Sequence, residues 1–204
     1  TKILVQLLKY KAGENYLFFE SLLKRWFRNT NLEFDCRKLE ITFNKDLIDG
    51  LICDNKRAII IENKIHYAQD QRKQIERYVE KVKEYGIDFT NIHVVYLTRY
   101  GDKKVSGNSC SPKLREDLGK RFVESNYFYD ILPYTYVLGI SDKWIKKFES
   151  ISLQAPNWYN SSSTFNINTF SSFMNTTMST ATKSMLSSPS SSSSGGSSGG
   201  GSSG

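Results

Sequence analysis

The chain has 204 residues, 39% of them hydrophobic and 13% aromatic, which suits one domain with a real core. Its formal net charge is +7, a balance that fits an anionic partner such as nucleic acid. No run of about 18 apolar residues occurs, which argues against a membrane span. The odd set Cys36, Cys53 and Cys110, with no C-x-x-C pair, argues against a zinc or disulfide framework.

Those cysteines read as free thiols of a reducing cytosol, so a cytoplasmic location is expected. His66 and His93 are the only histidines, too few for a histidine-rich metal site. The start carries no signal-peptide pattern, and Thr1 in place of Met leaves room for a missing N-terminal element. Whether the chain forms a homo-oligomer stays open.

From Gly13 to about Asn29, Tyr16, Phe19, Leu22, Leu23, Trp26 and Phe27 recur at helical spacing. Lys24, Arg25 and Arg28 sit near the end of that helix, where cations complement its dipole. Leu39 to Phe43 reads as a first strand. Ile48 to Cys53 and Ala58 to Ile65, the latter rich in β-branched residues, read as two strands around the turn Asp54-Asn55-Lys56-Arg57. A two-residue loop at Asn55-Lys56 puts Cys53 opposite Ala58, Leu51 opposite Ile60 and Asp49 opposite Glu62.

Ala68 to Tyr85 reads as a helix with a stripe of Gln71, Ile75, Tyr78, Val79, Val82 and Tyr85, stopped by Gly86. Asn91 to Thr98 is a buried strand, and strand, helix, strand implies a parallel crossover. Leu114 to Glu124 reads as helical and Tyr127 to Ile131 as a last short strand. Ser141 reads as the N-cap of a helix from Asp142 to Ile151. The fold class is therefore α/β, a mixed sheet flanked by helices, over residues 1–153.

Residues 154–204 turn into Ser, Thr, Asn and Gly, with Lys183 the only charge. Such a stretch lacks the apolar content to offset its ordering entropy and is expected to be a disordered tail. The other reading is a weak docking segment built on Phe165, Phe170, Phe173 and Met174.

The hairpin carries the chemistry. Directly opposed Cβ atoms lie roughly 4.5–5.5 Å apart, so Asp49 and Glu62 would be paired carboxylates. Lys64, two residues past Glu62, points to the same face. Opposed like charges next to a buried hairpin need compensation. A hard divalent cation supplies it, because Mg²⁺ takes oxygen ligands and keeps waters for substrate phosphates. The competing reading is a structural ion pair of Lys64 with Glu62 or Asp49 at a frayed hairpin end.

The run IDGLICDNKRAIIIENKI, in which Asp49 is followed after twelve residues by Glu62-Asn63-Lys64, resembles the signature of the PD-(D/E)xK nuclease superfamily. Ile48 stands where the name has proline. Gln74-Ile75-Glu76-Arg77-Tyr78 resembles the Q-x-x-x-Y motif of RecB-like members. VVYLTRYG at 94–101 resembles a strand of a bacterial and phage branch. Asp130-Ile131 resembles the D-I-x-x-W element, with a longer gap before Trp144. The resemblance covers about residues 14–150.

It implies a restriction-endonuclease-like core that hydrolyses DNA with Mg²⁺ or Mn²⁺ and leaves 5′-phosphates. Asp49, Glu62 and the backbone carbonyl of Asn63 would hold the metal, and Lys64 would be the catalytic lysine. Gln74 and Tyr78 would contact nucleic acid or support the site; for Tyr78 core packing is the other reading. A further acid on the first helix would be Glu14, or alternatively Glu20. His66 could touch substrate, and Arg72, Lys73, Arg77, Lys103, Lys104, Lys113 and Arg115 could line a phosphate track. The alternative function is a catalytically inactive nucleic-acid-binding module of the same fold.

Overall fold

A hairpin lies at the centre of the sheet. In the computed structural model, which describes residues 2–28, 30–64, 68–99, 103–149, 153, 155–156, 158–160 and 164–186, β2 (Ile48–Cys53) pairs antiparallel with β3 (Ala58–Lys64). Cys53 faces Ala58 and Leu51 faces Ile60, the register expected from a two-residue loop. The turn is held by Asp54, whose carboxylate accepts the backbone N–H of Lys56 and of Arg57, both at 2.7 Å.

Around this pair the sheet grows both ways in the order β1-β2-β3-β4-β5. β1 (Glu40–Lys45) is antiparallel to β2. β4 (Ile92–Thr98) and β5 (Phe122–Asn126) continue parallel from β3. The β3–β4 crossover runs through α3 (Gln74–Glu84), and Gly86 at φ +82° ends that helix as expected.

Helices cover both faces. α3 packs Ile75, Tyr78, Val79 and Val82 onto Leu51, Ile60, Val94 and Tyr96. On the other face α1 (Lys2–Leu8), α2 (Leu17–Trp26), α5 (Tyr127–Val137) and α6 (Ser141–Lys146) cover Ile52, Ile59, Ile61, Val95 and Leu97. With both faces buried, β4 is apolar almost throughout. Among the described residues no helix is long and apolar enough to cross a membrane.

Several elements differ from the sequence reading. Residues 68–73 are irregular rather than helical, and Lys73 at φ +51° leads into α3. α4 spans only Pro112–Leu118, capped by the Ser111 side chain and stopped at Gly119, and Phe122–Asn126 beyond it is strand. The expected strand at Tyr127 to Ile131 is instead the start of α5. The Asn126 side chain caps it by accepting the Tyr129 N–H, and this overrides the β preference of Tyr and Phe. Ser141 is the first residue of α6 rather than its cap.

The largest difference lies beyond residue 153. α7 (Ile167–Leu186) is helical, with Phe170 fully buried against Tyr129, Tyr159 and Phe165. The Asn166 side chain accepts the N–H of Asn168 and Thr169 at its start. Residues 167–186, which the sequence reading placed in the tail, are thus helical here. Average composition hid a few aromatic anchors: of the four residues named for a docking segment, Phe170 is fully buried and Phe173 is exposed. Residues 187–204 lie outside the described residues.

Candidate active site

The expected constellation assembles at the end of the β2–β3 hairpin, facing α3. Glu62 and Lys64 share the face of Ala58 and Ile60 because strand side chains alternate. Both are buried, at 2% and 5% exposure. Asp49 is half-buried and its Oδ2 accepts the Asn63 backbone N–H at 2.9 Å, which ties the two strands across the site. Asp49, Glu62, Asn63, Lys64, Gln74, Arg77 and Tyr78 line one polar cleft of about 290 Å³.

A hydrogen-bond net fixes the charged groups. The Lys64 ammonium lies 2.8 Å from Glu62 Oε1 and donates to Gln74 Oε1 at 2.9 Å and to the Gln69 carbonyl at 3.2 Å. These acceptors match the three donors of an ammonium. Gln74 Nε2 donates to Glu62 Oε1 at 3.0 Å and to the Tyr78 hydroxyl at 2.8 Å. Gln74 thus bridges acid, lysine and tyrosine, and it can do so because it opens α3 and Tyr78 lies one turn on.

Glu62 is left short of donors. Its Oε2 is buried with no hydrogen-bond partner among the described residues. Burial pushes its carboxyl above the usual range, the Lys64 hydrogen bond and charge and the nearby Tyr78 hydroxyl pull it back, and the Asp49 charge pushes it up further. Burial also pushes the Tyr78 hydroxyl up to about 12, so it stays protonated.

Asp70 is a member that sequence reasoning missed. Its Oδ1 accepts the Tyr96 hydroxyl at 2.7 Å and lies 3.9 Å from Lys64 Nζ, while its Oδ2 accepts the Ser106 N–H at 2.9 Å. Burial alone would raise it, but these hydrogen bonds and the Lys103 charge hold it below the usual carboxylate range. By sequence, residues 68–73 read as the start of a helix with Asp70 off its stripe, and the one signal available was that Asp70 is their only acid.

Other expected members lie elsewhere. Glu14 is exposed in the turn ahead of α2 and is not among the cleft residues, because α2 begins only at Leu17 and packs on the opposite face of the sheet. Glu20 lines a separate pocket with Phe34 and Cys36. His66 lies outside the described residues, as do positions 100 and 101 of the later motif. Of the basic residues, Arg77 reaches the cleft, anchored on the Arg72 carbonyl and on Gln71. Lys104 pairs with Glu124 at 2.8 Å, and Arg115 stacks on Phe122. Arg72, Lys73 and Lys113 are exposed.

A family model described as the PD-(D/E)XK nuclease superfamily matches residues 21–161. The chain belongs to this superfamily. Comparison with curated proteins and with solved structures found no match. Superfamily members are mostly metal-dependent phosphodiesterases, so the site has to be tested for a cation. Among the described residues no group of three or more His, Cys, Asp or Glu side chains could hold a metal. Two carboxylates do fit Mg²⁺, which needs only one or two and fills its shell with carbonyls and water. The buried, unpartnered Glu62 Oε2 beside Asp49 is the observation that favours that fit.

Proposed function

We propose that the chain hydrolyses DNA phosphodiester bonds with a divalent cation, Mg²⁺ or Mn²⁺. The observation that carries this reading is the pairing of an unpartnered buried carboxylate oxygen on Glu62 with a buried Lys64 in one polar cleft. Buried polar groups are normally satisfied. Glu76 Oε2 is also unpartnered, but it lies outside this cleft, so it is the setting of the Glu62 oxygen beside Asp49 and Lys64 that favours a cation over a structural ion pair.

Asp49, Glu62 and the Asn63 carbonyl would hold the cation. When bound, it activates a water and neutralises charge on the phosphate. The Lys64 ammonium, held between its acceptors, faces the charge that would build as water adds to phosphorus and the 3′-oxygen leaves, which would yield a 5′-phosphate and a 3′-hydroxyl. Gln74 spends both ends of its amide on Lys64, Glu62 and Tyr78, so its role is to position these groups rather than to grip DNA. Tyr78 supports Gln74 from one helical turn away. The free thiols Cys36, Cys53 and Cys110 suit a reducing, cytoplasmic setting.

The test is incubation of circular and linear DNA with Mg²⁺, Mn²⁺ or EDTA beside Asp49→Asn. That variant is chosen because Asp49 is only half-buried, whereas removing Lys64 leaves Glu62 without its counter-charge. Cleavage should need metal and fall by more than about a hundredfold in Asp49→Asn, the ceiling for mere outer-shell partners. Salt-dependent DNA binding with no cleavage in any metal would make the chain an inactive binding module instead.

A further inference from the structure

The β1–β2 hairpin turns through Asp46-Leu47, flanked by the pair Lys45 and Ile48. Both central residues have positive φ, +52° and +67°. A two-residue turn of that kind strongly prefers glycine at its second position, because a Cβ there crowds the following carbonyl. A leucine in its place is a genuine backbone outlier.

Packing does not compensate for it. Leu47 is 78% exposed. Its neighbours are nevertheless fastened: the Tyr85 hydroxyl at the end of α3 donates to the Asp46 carboxylate, and Lys45 Nζ sits 5.2 Å above the Tyr85 ring. The tip is thus anchored, and it brings Leu47 to the lining of the cleft that holds Asp49, Glu62, Lys64 and Arg77. Strain at an exposed, apolar, well-anchored residue beside a polar site points to use rather than to folding.

We propose that Leu47 contacts the substrate, packing against the face of the base or deoxyribose next to the phosphate in the cleft. This rests on the nuclease reading. A DNA strand alternates anionic phosphates with apolar base and sugar faces, and a polar cleft that offers Lys64 and Arg77 beside an apolar lip matches that alternation.

The experiment compares wild type, Leu47→Gly and Leu47→Met on single- and double-stranded DNA, reading melting temperature, KM and kcat. Leu47→Gly relieves the turn and should raise the melting temperature by roughly 2–4 °C. It should also raise KM by roughly tenfold with little change in kcat, because it removes contact with substrate and transition state alike. Leu47→Met keeps the apolar reach and should keep the wild-type KM. An active wild type with an equally active Leu47→Gly overturns the contact and spares the nuclease. Loss of melting temperature together with activity in Leu47→Gly makes the residue structural and also overturns it. A wild type that neither binds nor cuts DNA overturns both readings.

Discussion

Glu62 and Asp130 are buried to nearly the same degree, at 2% and 3% exposure, yet they are served very differently. Asp130 on α5 faces α2 with both oxygens satisfied. Oδ1 takes Arg25 Nε at 2.6 Å, and Oδ2 takes Trp26 Nε1 at 3.0 Å and the Ser125 hydroxyl. Glu62 has two donors crowded on Oε1 and none on Oε2. Asp130, which holds the fold together, is saturated with donors, and Glu76, whose Oε2 is also unpartnered, differs from Glu62 in lying outside the cleft. A carboxylate that has to receive a cation keeps an oxygen in reserve, and the fold carries the desolvation that results.

The contrast predicts opposite responses to mutation. Asp130→Ala strands the Trp26 N–H and the Ser125 hydroxyl and should destabilise by about 3–4 kcal/mol, tempered because Arg25 is partly exposed and can turn to water. In a chain of this size that is a fall in melting temperature of roughly 6–16 °C. Metal-dependent cleavage measured well below the transition should persist. A variant that stays stable but loses cleavage would break the contrast, because Asp130 would then belong to the chemistry.

The face that holds Asp130 sharpens the point with a group that has no charged partner. His93 on β4 packs edge-on against Phe27 with ring centroids 5.0 Å apart, and burial drives its pKa down to about 4 from the usual 6.5. Neutral His93 is therefore favoured in the folded state. The sign follows: its stabilising share is complete above about pH 6.5 and is lost as pH falls toward 4. Two and a half pH units correspond to about 3 kcal/mol at most. His93→Phe should flatten the fall in stability between pH 6.5 and 4.5, read by urea unfolding at several pH values. An unchanged slope would mean that His93 is solvated or charged in the fold.

How legible all this was in the sequence depended on whether local chemistry or tertiary contact decided each element. The β2–β3 register was legible from Cys53–Ala58 to Leu51–Ile60, because a two-residue turn sets the pairing, while the recorded ladder ends at Gly50–Ile61, one pair short of the expected Asp49–Glu62. That register alone put Asp49, Glu62 and Lys64 on one face. The start of α3 was not legible, because residues 68–76 take their shape from the loop at 103–111: Lys73 N–H bonds the Asn108 carbonyl at 2.6 Å and Ile75 N–H the Ser109 carbonyl at 2.9 Å. Asp70 belongs to the same strap and was hidden for the same reason. Glu14 falls outside the cleft because the helix begins at Leu17, four residues after the Gly13 start read from the sequence, and the spacing says nothing about which sheet face receives it. α7 was missed because Phe170 is one anchor in a stretch that is polar on average.

The smallest effect is also the most direct probe of the reserved oxygen. If Asp49 and Glu62 hold a cation, Mg²⁺ alone must stabilise the folded chain without any DNA. At ten times its dissociation constant the gain is about 1.4 kcal/mol, a shift of roughly 3–6 °C for a chain of this size. The shift should saturate with Mg²⁺, which separates it from general screening of surface charge. Asp49→Asn should abolish it, because one carboxylate and a carbonyl hold a hard cation poorly. An equal shift in wild type and Asp49→Asn would move the cation elsewhere. In that case the unpartnered oxygen of Glu62 would be a cost with no function attached to it, and the contrast with Asp130 would lose its meaning.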